Sequence, residues 1–312
     1  MTVQAKILVV GRSGQVASAL QATACPRGLV LEAHGRPGLD LRVPDPGAAA
    51  VSGGSWAAVV NAAAYTDVER AESEPDAAFA LNRDGPAVLA EACARAGIPL
   101  IHLSTDYVFD GAKPSPYDED DPVEPLSVYG ASKAAGEEAI RTKLDAHVIL
   151  RTSWVFSPVG TNFVKTMLGL ARKRDTLRIV NDQSGCPTSA QDIGDAIMRI
   201  MVALLAGKRD GFGTFHFANL GATTWHDFAD ELFRQAELRG LRRRPKLIAI
   251  PASAYPAAAR RPRNSVLDTR RIAQVYGIVP RRWQDALSEA LDVLIGPVEA
   301  QVREGGARTE AV

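Results

Sequence analysis

The chain has 312 residues, 46% of them hydrophobic, which suffices for a sizeable core in one large domain or two interleaved ones. Its 36 basic and 36 acidic side chains cancel, so charge gives no reason to expect nucleic acid or an anionic membrane as a partner. The three cysteines are widely spaced, so we expect neither disulfides nor a bound metal. We also expect a cytoplasmic protein, because no apolar run approaches the roughly 20 residues that span a bilayer and the N-terminal segment is too short for a signal peptide.

Short apolar segments alternate with Ala-rich ones through the first half of the chain. The predicted strands are Lys6–Val10, Leu29–Ala33, Ala58–Asn61, Leu100–Ser104 and Val148–Arg151. Helical patterns lie between them, for example at Ala77–Ala96. Nearly continuous apolar strands separated by helices predict an α/β fold of Rossmann type, in which a doubly wound parallel sheet is covered on both faces.

A glycine turn follows the first predicted strand and opens a helix. Gly11 permits a tight turn, Gly14 lets the backbone approach a pyrophosphate, and Ala17 is small enough for the helix to pack on the strand. The helix N-terminus would then face the phosphates. This arrangement predicts a dinucleotide site. The other residues that we assign to this turn are Arg12, Ser13, Gln15 and Val16.

The end of the second predicted strand bears on the type of cofactor. NAD-selective sites usually place an acidic side chain there, whereas this strand ends in Ala33-His34-Gly35-Arg36. Glu32 is nearby, but strand alternation could direct it away. Arg36 and Arg12 could instead pair with a 2′-phosphate. We therefore favour NADPH as the cofactor, with NADH as the alternative.

A tyrosine and a lysine four residues apart, Tyr129 and Lys133, lie on a segment of helical composition and would share one helix face. A neighbouring ammonium and the positive charge of an oxidised nicotinamide favour the phenolate, so we expect a lowered pKa for Tyr129, which could donate a proton to a carbonyl oxygen. Thr105 follows the fourth predicted strand, where its hydroxyl could stabilise charge on the same oxygen. Just beyond, the pair Glu137-Glu138 is expected on a solvated helix face.

The regular alternation ends near residue 155. Turn-rich segments follow at Asn181–Thr188 and Pro251–Asn264, with helical patterns at Thr224–Leu238 and Trp283–Leu294. We expect residues 1–155, with parts of 190–222 and 283–298, to form an NADP(H)-binding domain. The expected remainder is a smaller, less regular substrate-binding region at 156–189 and 223–282 and a flexible tail at 299–312.

Together these motifs resemble those of the dTDP-4-dehydrorhamnose reductase family, within the extended short-chain reductases. The matching segments are Gly11–Ala17, Val60–Asp67, Ser104–Gly111, Tyr129–Lys133, Arg151–Val155, Asn181–Thr188 and Arg261–Leu267. The resemblance extends from about residue 5 to residue 295. It implies a nucleotide-sugar substrate, dTDP-4-dehydro-6-deoxy-L-mannose, whose C4 keto group is reduced to dTDP-L-rhamnose with hydride from NADPH.

The resemblance also implies roles for individual residues. Tyr129 would be the proton donor, Lys133 its helper and a cofactor ligand, and Thr105 the hydroxyl partner. The further cofactor residues are Ala62, Ala63, Ala64 and Tyr65 along the diphosphate and ribose, and Asp40 and Leu41 beside the adenine. The further substrate residues are Asp106, Trp154, Gln183 and Arg261. We add that Arg261 or Arg263 binds the substrate diphosphate, because a guanidinium suits it.

Departures from the family pattern leave alternatives open. Some members form a metal-bridged dimer through glutamates, but Ala19 and Gln191 stand at those positions, so we expect no structural metal and either a monomer or a homodimer. A 4,6-dehydratase would need a second carboxylate where Tyr107 follows Asp106. A different nucleotide-deoxysugar 4-ketoreductase of secondary metabolism remains an alternative. So does a non-catalytic accessory subunit similar to that of methionine adenosyltransferase.

Overall fold

The computed structural model describes residues 4–298. The strands are β1 Ala5–Val10, β2 Leu29–His34, β3 Trp56–Asn61, β4 Leu100–Thr105, β5 His147–Thr152, β6 Val155–Phe156, β7 Thr176–Val180, β8 Ser184–Gly185, β9 Thr188–Ser189, β10 Gly213–His216, β11 Thr223–Thr224 and β12 Lys246–Ile250. The helices are α1 Gln15–Ala22, α2 Pro44–Ser52, α3 Val68–Ala71, α4 Pro75–Phe79, α5 Gly85–Ala96, α6 Val128–Lys143, α7 Phe163–Ala171, α8 Ala190–Leu205, α9 Trp225–Glu237, α10 Arg270–Tyr276 and α11 Trp283–Leu294.

A six-stranded parallel sheet organises the chain, with strand order β10-β5-β4-β3-β1-β2. The five predicted strands are confirmed as β1 to β5, and so is the doubly wound Rossmann-type sheet. The sixth strand, β10, was not predicted. Since β1 pairs with β2 on one side and β3 on the other, the strand order reverses beside β1, which is where parallel sheets bind ligands at their carboxyl ends.

Alternate residues of β1 fill two different cores, one on each face of the sheet. Ile7 and Val9 pack with α8 and α10 in the first core, whereas Leu8 and Val10 pack with α5 and α6 in the other. All four side chains are at most 1% exposed. This alternation follows from the two-residue period of a strand and explains why a strand that is covered on both sides is apolar throughout.

A separate core lies outside the main sheet. Side chains of α7, α9 and α11, including Phe228, Leu232 and Leu287, form it. The two-stranded parallel sheet of β7 and β12 packs against it, and β8–β11 and β6–β9 form short pairs nearby. These elements make up the smaller, less regular part of the fold.

The packing of the last two helices differs from the division expected from the sequence. α10 packs against β10 and α8 through Ile272, in a core of the main sheet, although residues 223–282 were expected in the smaller region. α11 packs against α9, although parts of 283–298 were expected with the main sheet. An apolar helix face is visible in a sequence, but its partner is not. The predicted flexible tail at 299–312 lies outside the described residues.

The predicted helices are confirmed at α9 and α11. The predicted helix at Ala77–Ala96 consists of α4, a π-helical turn at Ala80–Asp84 and α5. Hydroxyl caps fix two starts: the backbone N–H of Gly130 donates to Ser127 at α6, and that of Asp227 donates to Thr224 at α9. Within residues 4–298, no helix has both the length and the apolar character needed to cross a membrane.

Candidate active site

A cleft of about 560 Å³ opens at the carboxyl ends of β1, β3 and β4. It brings together most of the residues predicted from the sequence. Those that line it are Ser13, Gly14, Gln15, Val16, Ala62, Ala64, Thr105, Asp106, Tyr129, Lys133 and Trp154. The glycine turn, the tyrosine–lysine pair and the strand-end hydroxyl therefore line one cleft.

The glycine turn leaves room for a diphosphate at one end of this cleft. Gly11 has φ +115°, and a Cβ there would lie 3.0 Å from the carbonyl carbon of Ala62 and 3.1 Å from the nitrogen of Ala63, so only glycine fits. Gly14 caps α1 without a side chain, and nothing lies within 4 Å of where its Cβ would be. Free N–H groups at the helix start suit an anion. These residues fit the diphosphate of a dinucleotide.

A second cleft, of about 370 Å³, lies beside the first and contains Arg36, Arg42 and Tyr65. The guanidinium of Arg42 donates to Asp40 at 3.0 Å, and this bond holds the pKa of that carboxyl down at about 2. The side chain of Leu41 is buried in the core, so it can offer only its backbone to a ligand. Arg42 is a cation at this position that sequence reasoning missed.

Tyr129 stands in the first turn of α6, facing Thr105 at the end of β4. Burial is the largest influence on this phenol and raises the pKa of Tyr129 to about 12, although a hydrogen bond with Thr105 lowers it. The predicted lowering rests partly on the charge of an oxidised nicotinamide; in the protein alone, desolvation penalises the phenolate more than the hydroxyl stabilises it. The hydroxyl of Thr105 donates to Asp106 at 2.9 Å, and burial raises the pKa of Asp106 to about 7.

Lys133 is 2% exposed and one helical turn beyond Tyr129. Its Nζ donates to the carbonyl of Leu103 at 2.6 Å and lies 3.1 Å from Nε2 of His102. Burial lowers the pKa of Lys133 to about 8. His102 in turn contacts Asn61 across β3 and β4 at 3.0 Å. Sequence reasoning missed both residues, although polar side chains within apolar strands were a signal.

Glu137, predicted on a solvated face, is fully buried, and that prediction is wrong. Its carboxylate accepts bonds from Arg151 Nη2 at 2.7 Å and Nε at 2.9 Å, and from the hydroxyl of Ser104 at 2.5 Å. These bonds hold the pKa of Glu137 below its usual value despite burial. Only Glu138 of the pair is exposed. The helix that carries Tyr129 and Lys133 is thus tied to β4 and β5.

Two stacked indoles, Trp154 and Trp225, line the same cleft. Trp154 has φ +45°, and its ring lies parallel to that of Trp225, with 3.5 Å between centroids and 6° between planes. The indole of Trp154 also fills the space where a Cβ on Gly185 would lie. Trp154 was predicted to face the sugar, whereas Trp225 and Gly185 were missed.

Seven predicted residues line neither cleft: Gly11, Arg12, Asp40, Leu41, Ala63, Gln183 and Arg261. Arg12 lies beside Gly35 at the strand end, and Gln183 is half-buried in the smaller region. Arg261 forms an ion pair with Glu69 of α3 at 2.6 Å. Glu69 also accepts a hydrogen bond from the backbone N–H of Ala258 at 2.7 Å. Through these two contacts, the loop that precedes Asn264 is attached to α3.

Neither cleft holds a set of metal ligands. Among residues 4–298, no three side chains of His, Cys, Asp or Glu are grouped so that they could hold a metal. Gln191 donates to Thr23 at 2.9 Å and to Asp195 at 3.0 Å, where α8 packs on α1.

Comparison with known proteins gives consistent results. Residues 5–295 match the family model described as RmlD substrate binding domain. A dTDP-4-dehydrorhamnose reductase of Sinorhizobium fredii is 47% identical over 283 residues, which are 90% of this chain and 95% of that protein.

Solved structures of proteins with the same name are similar to this chain. The one from Clostridium acetobutylicum has a TM-score of 0.86 and 32% identity, over 93% of this chain and 99% of that one. The one from Bacillus anthracis, solved in complex with NADP, has a TM-score of 0.85 and 30% identity, over 92% and 98%.

Proposed function

The chain belongs to the dTDP-4-dehydrorhamnose reductase family, and we propose that the 560 Å³ cleft is its active site. It is an NADP(H)-dependent oxidoreductase of nucleotide sugars. The reaction is reduction of the C4 keto group of dTDP-4-dehydro-6-deoxy-L-mannose to give dTDP-L-rhamnose. The observation that carries the site assignment is that Thr105, Tyr129 and Lys133 line the same cleft as the Gly14 turn.

The cofactor would lie across both clefts. The backbone of the Gly14 turn and the start of α1 would hold its diphosphate, and Arg36 with Arg42 would face the 2′-phosphate. Lys133 would bind the nicotinamide ribose. When bound, NADPH supplies the hydride that the carbonyl carbon receives. The open space at Gly14 supports this placement.

Tyr129 would donate its proton to the carbonyl oxygen as charge develops there. A phenol whose pKa is raised to about 12 is protonated at neutral pH, which is the form that a reduction requires. Thr105 would hold the same oxygen and stabilise its negative charge. The ammonium of Lys133 would stabilise the phenolate that remains on Tyr129.

The stacked indoles of Trp154 and Trp225 would bound the deoxysugar, and Asp106 would reach its hydroxyls. Arg261 would bind the diphosphate after leaving Glu69. We assign the main sheet with α10 to cofactor binding and the core of α7, α9 and α11 to the substrate side. Free thiols at Cys25, Cys93 and Cys186 suit a reducing compartment, which supports the cytoplasm as the location.

The decisive experiment is incubation of the protein with freshly generated dTDP-4-dehydrorhamnose and either NADPH or NADH. We expect NADPH oxidation and dTDP-L-rhamnose as the product identified by NMR. An epimeric product would favour the other deoxysugar ketoreductases. Binding of NADPH without turnover, together with co-purification of a methionine adenosyltransferase, would favour the accessory-subunit alternative.

A further inference from the structure

A chain of three polar side chains crosses the buried sheet and ends on Lys133. Asn61 closes β3, His102 lies in β4, and both are fully buried. Asn61 Nδ2 lies 3.0 Å from His102 Nδ1, and His102 Nε2 lies 3.1 Å from Lys133 Nζ. The ring of His102 therefore joins the strand core directly to a residue of the proposed reaction.

The direction of these hydrogen bonds follows from one backbone contact. The N–H of Ala63 donates to Oδ1 of Asn61 at 3.1 Å, so the amide nitrogen of Asn61 faces His102 and donates to Nδ1. A neutral imidazole has one N–H and one bare nitrogen. With Nδ1 as the acceptor, the hydrogen of His102 is on Nε2 and points at Lys133.

We propose that Asn61 and His102 are positioning residues that present an N–H to Lys133 and thereby make its ammonium give up a proton more readily. The amine has a lone pair that can accept from Nε2 and keeps a hydrogen for the carbonyl of Leu103. An ammonium would instead place an N–H against an N–H, at 3.1 Å. Leu103 fixes where Nζ lies, and His102 sets how readily it loses its proton.

The charged groups around Lys133 are compatible with this effect of His102. Burial and the charge of Lys133 lower the pKa of His102 well below its usual value, so the ring is neutral. Glu137, one turn further on α6, favours the ammonium, but its charge is shared with Arg151 and Arg141. The other titratable groups nearby, Tyr129 and Asp106, are protonated at neutral pH or titrate close to it.

Only the part that Asn61 and His102 play in the reaction rests on the proposed function. After Tyr129 gives its proton to the substrate oxygen, its phenolate is reprotonated, and Lys133 is the neighbouring cation that can supply a proton. Lys133 then becomes an amine, the form that the N–H of His102 stabilises, and it takes up a proton from the solvent in the cleft before the next turnover. A donor whose pKa lies near the working pH transfers its proton readily in both directions.

The tautomer can be tested without any turnover. We would record long-range ¹H–¹⁵N spectra of the full-length ¹⁵N-labelled protein and assign His102 by comparison with His102→Gln. We expect the hydrogen on Nε2 at pH 7, with and without NADPH. A hydrogen on Nδ1 would overturn the inference, whatever the activity. An inactive protein with the Nε2 tautomer would instead contradict the proposed function alone.

A variant of nearly equal size can reverse the direction of the chain. In Asn61→Asp, one carboxylate oxygen still accepts from the N–H of Ala63, and the other accepts from His102. The hydrogen of the His102 ring must then lie on Nδ1. Nε2 is left bare and can accept from the ammonium of Lys133. We expect this tautomer in the spectra and an alkaline limb of kcat/KM shifted upward by about one pH unit or more. An unchanged tautomer and limb in a folded variant would refute the proposal.

Two glutamine variants complete the test. His102→Gln keeps an acceptor for Asn61 and a donor for Lys133. We therefore expect this conservative variant to preserve the alkaline limb of kcat/KM within about 0.3 pH units of the wild type. His147→Gln makes the same change at a buried histidine at the start of β5, whose ring bonds to Leu144 and not to Lys133, and it should also leave the alkaline limb in place. Should Asn61→Asp fail to fold, the wild-type tautomer decides the matter. A limb displaced equally in both glutamine variants would contradict a specific role for His102.

Discussion

Glu137 and Arg151 form a bidentate ion pair in which the two side chains are 0% and 1% exposed. The pair joins α6 to β5 directly beneath the cleft. Two charges are taken out of water together here, so each depends on the other. The position of Lys133, one helical turn from Glu137, depends on this contact as well.

We predict that Glu137→Gln lowers the free energy of unfolding by roughly 3–5 kcal/mol, because it leaves the guanidinium of Arg151 buried and uncompensated. Urea unfolding followed by circular dichroism measures this change. Glu138→Gln is the matched control, since its side chain is 68% exposed, and it should stay within about 0.5 kcal/mol of the wild type. Equal losses in the two variants would contradict the buried pair.

Tyr129→Phe removes the proposed proton donor but keeps the ring. We expect turnover to fall about 10²- to 10⁴-fold while the Kd for NADPH changes less than about twofold. Steady-state kinetics and cofactor fluorescence measure the two quantities. Tyr276→Phe on α10, whose hydroxyl donates to Gly211 away from the cleft, serves as the control and should keep its turnover. Near-normal activity of Tyr129→Phe would refute the assignment.

Gly185→Ala tests the stacked indoles, because the added methyl would clash with Trp154. The displaced ring should raise KM for the sugar nucleotide about tenfold, with little change in the Kd for NADPH. Gly169→Ala on α7 has open space around the new methyl and should be neutral or stabilising by up to about 1 kcal/mol. If both variants keep the same KM, Trp154 does not bound the sugar.

Asp106 makes stability depend on pH in an unusual direction. Burial raises its pKa to about 7 in the folded chain, from about 3.9 when unfolded. Its contribution to stability is complete below pH ~4 and is lost as the pH rises to ~7.

The difference in unfolding free energy between wild type and Asp106→Asn should therefore fall by up to about 4 kcal/mol over this interval and then level off. Urea titrations of both proteins at several pH values measure it, and the subtraction removes other groups. A difference that grows with pH would mean that Asp106 ionises readily.

Arg36→Ala tests the choice of cofactor. Arg42 is already paired with Asp40, whereas Arg36 lines the same cleft, so its loss should lower kcat/KM for NADPH about 10- to 100-fold and that for NADH less than about twofold. Arg172→Ala at the exposed end of α7 is the control. Parallel losses with both cofactors would disprove a contact with the 2′-phosphate.

Features that depend on a few neighbouring residues could be predicted from the sequence. The strands β1 to β5 are apolar runs, and the spacing of Tyr129 and Lys133 places both on one helix face. Contacts between distant residues could not be predicted. Glu137 looked solvated because its partner, Arg151, lies 14 residues away, and the contact of His102 with Lys133 spans 31 residues. Periodicity shows which face of α11 is apolar but not that Phe228 covers it.

The chain alternates between the two parts of the structure. α7 and β7 belong to the separate core, α8 and β10 to the main sheet, and α9 and β12 to the separate core again. α10 then packs on the main sheet and α11 in the separate core. A single crossover anywhere between β1 and α11 would therefore divide at least one of the two cores between two parents. Sugar preference can be transplanted from a relative only by exchanging several segments at once, and recombination at one breakpoint should give insoluble products.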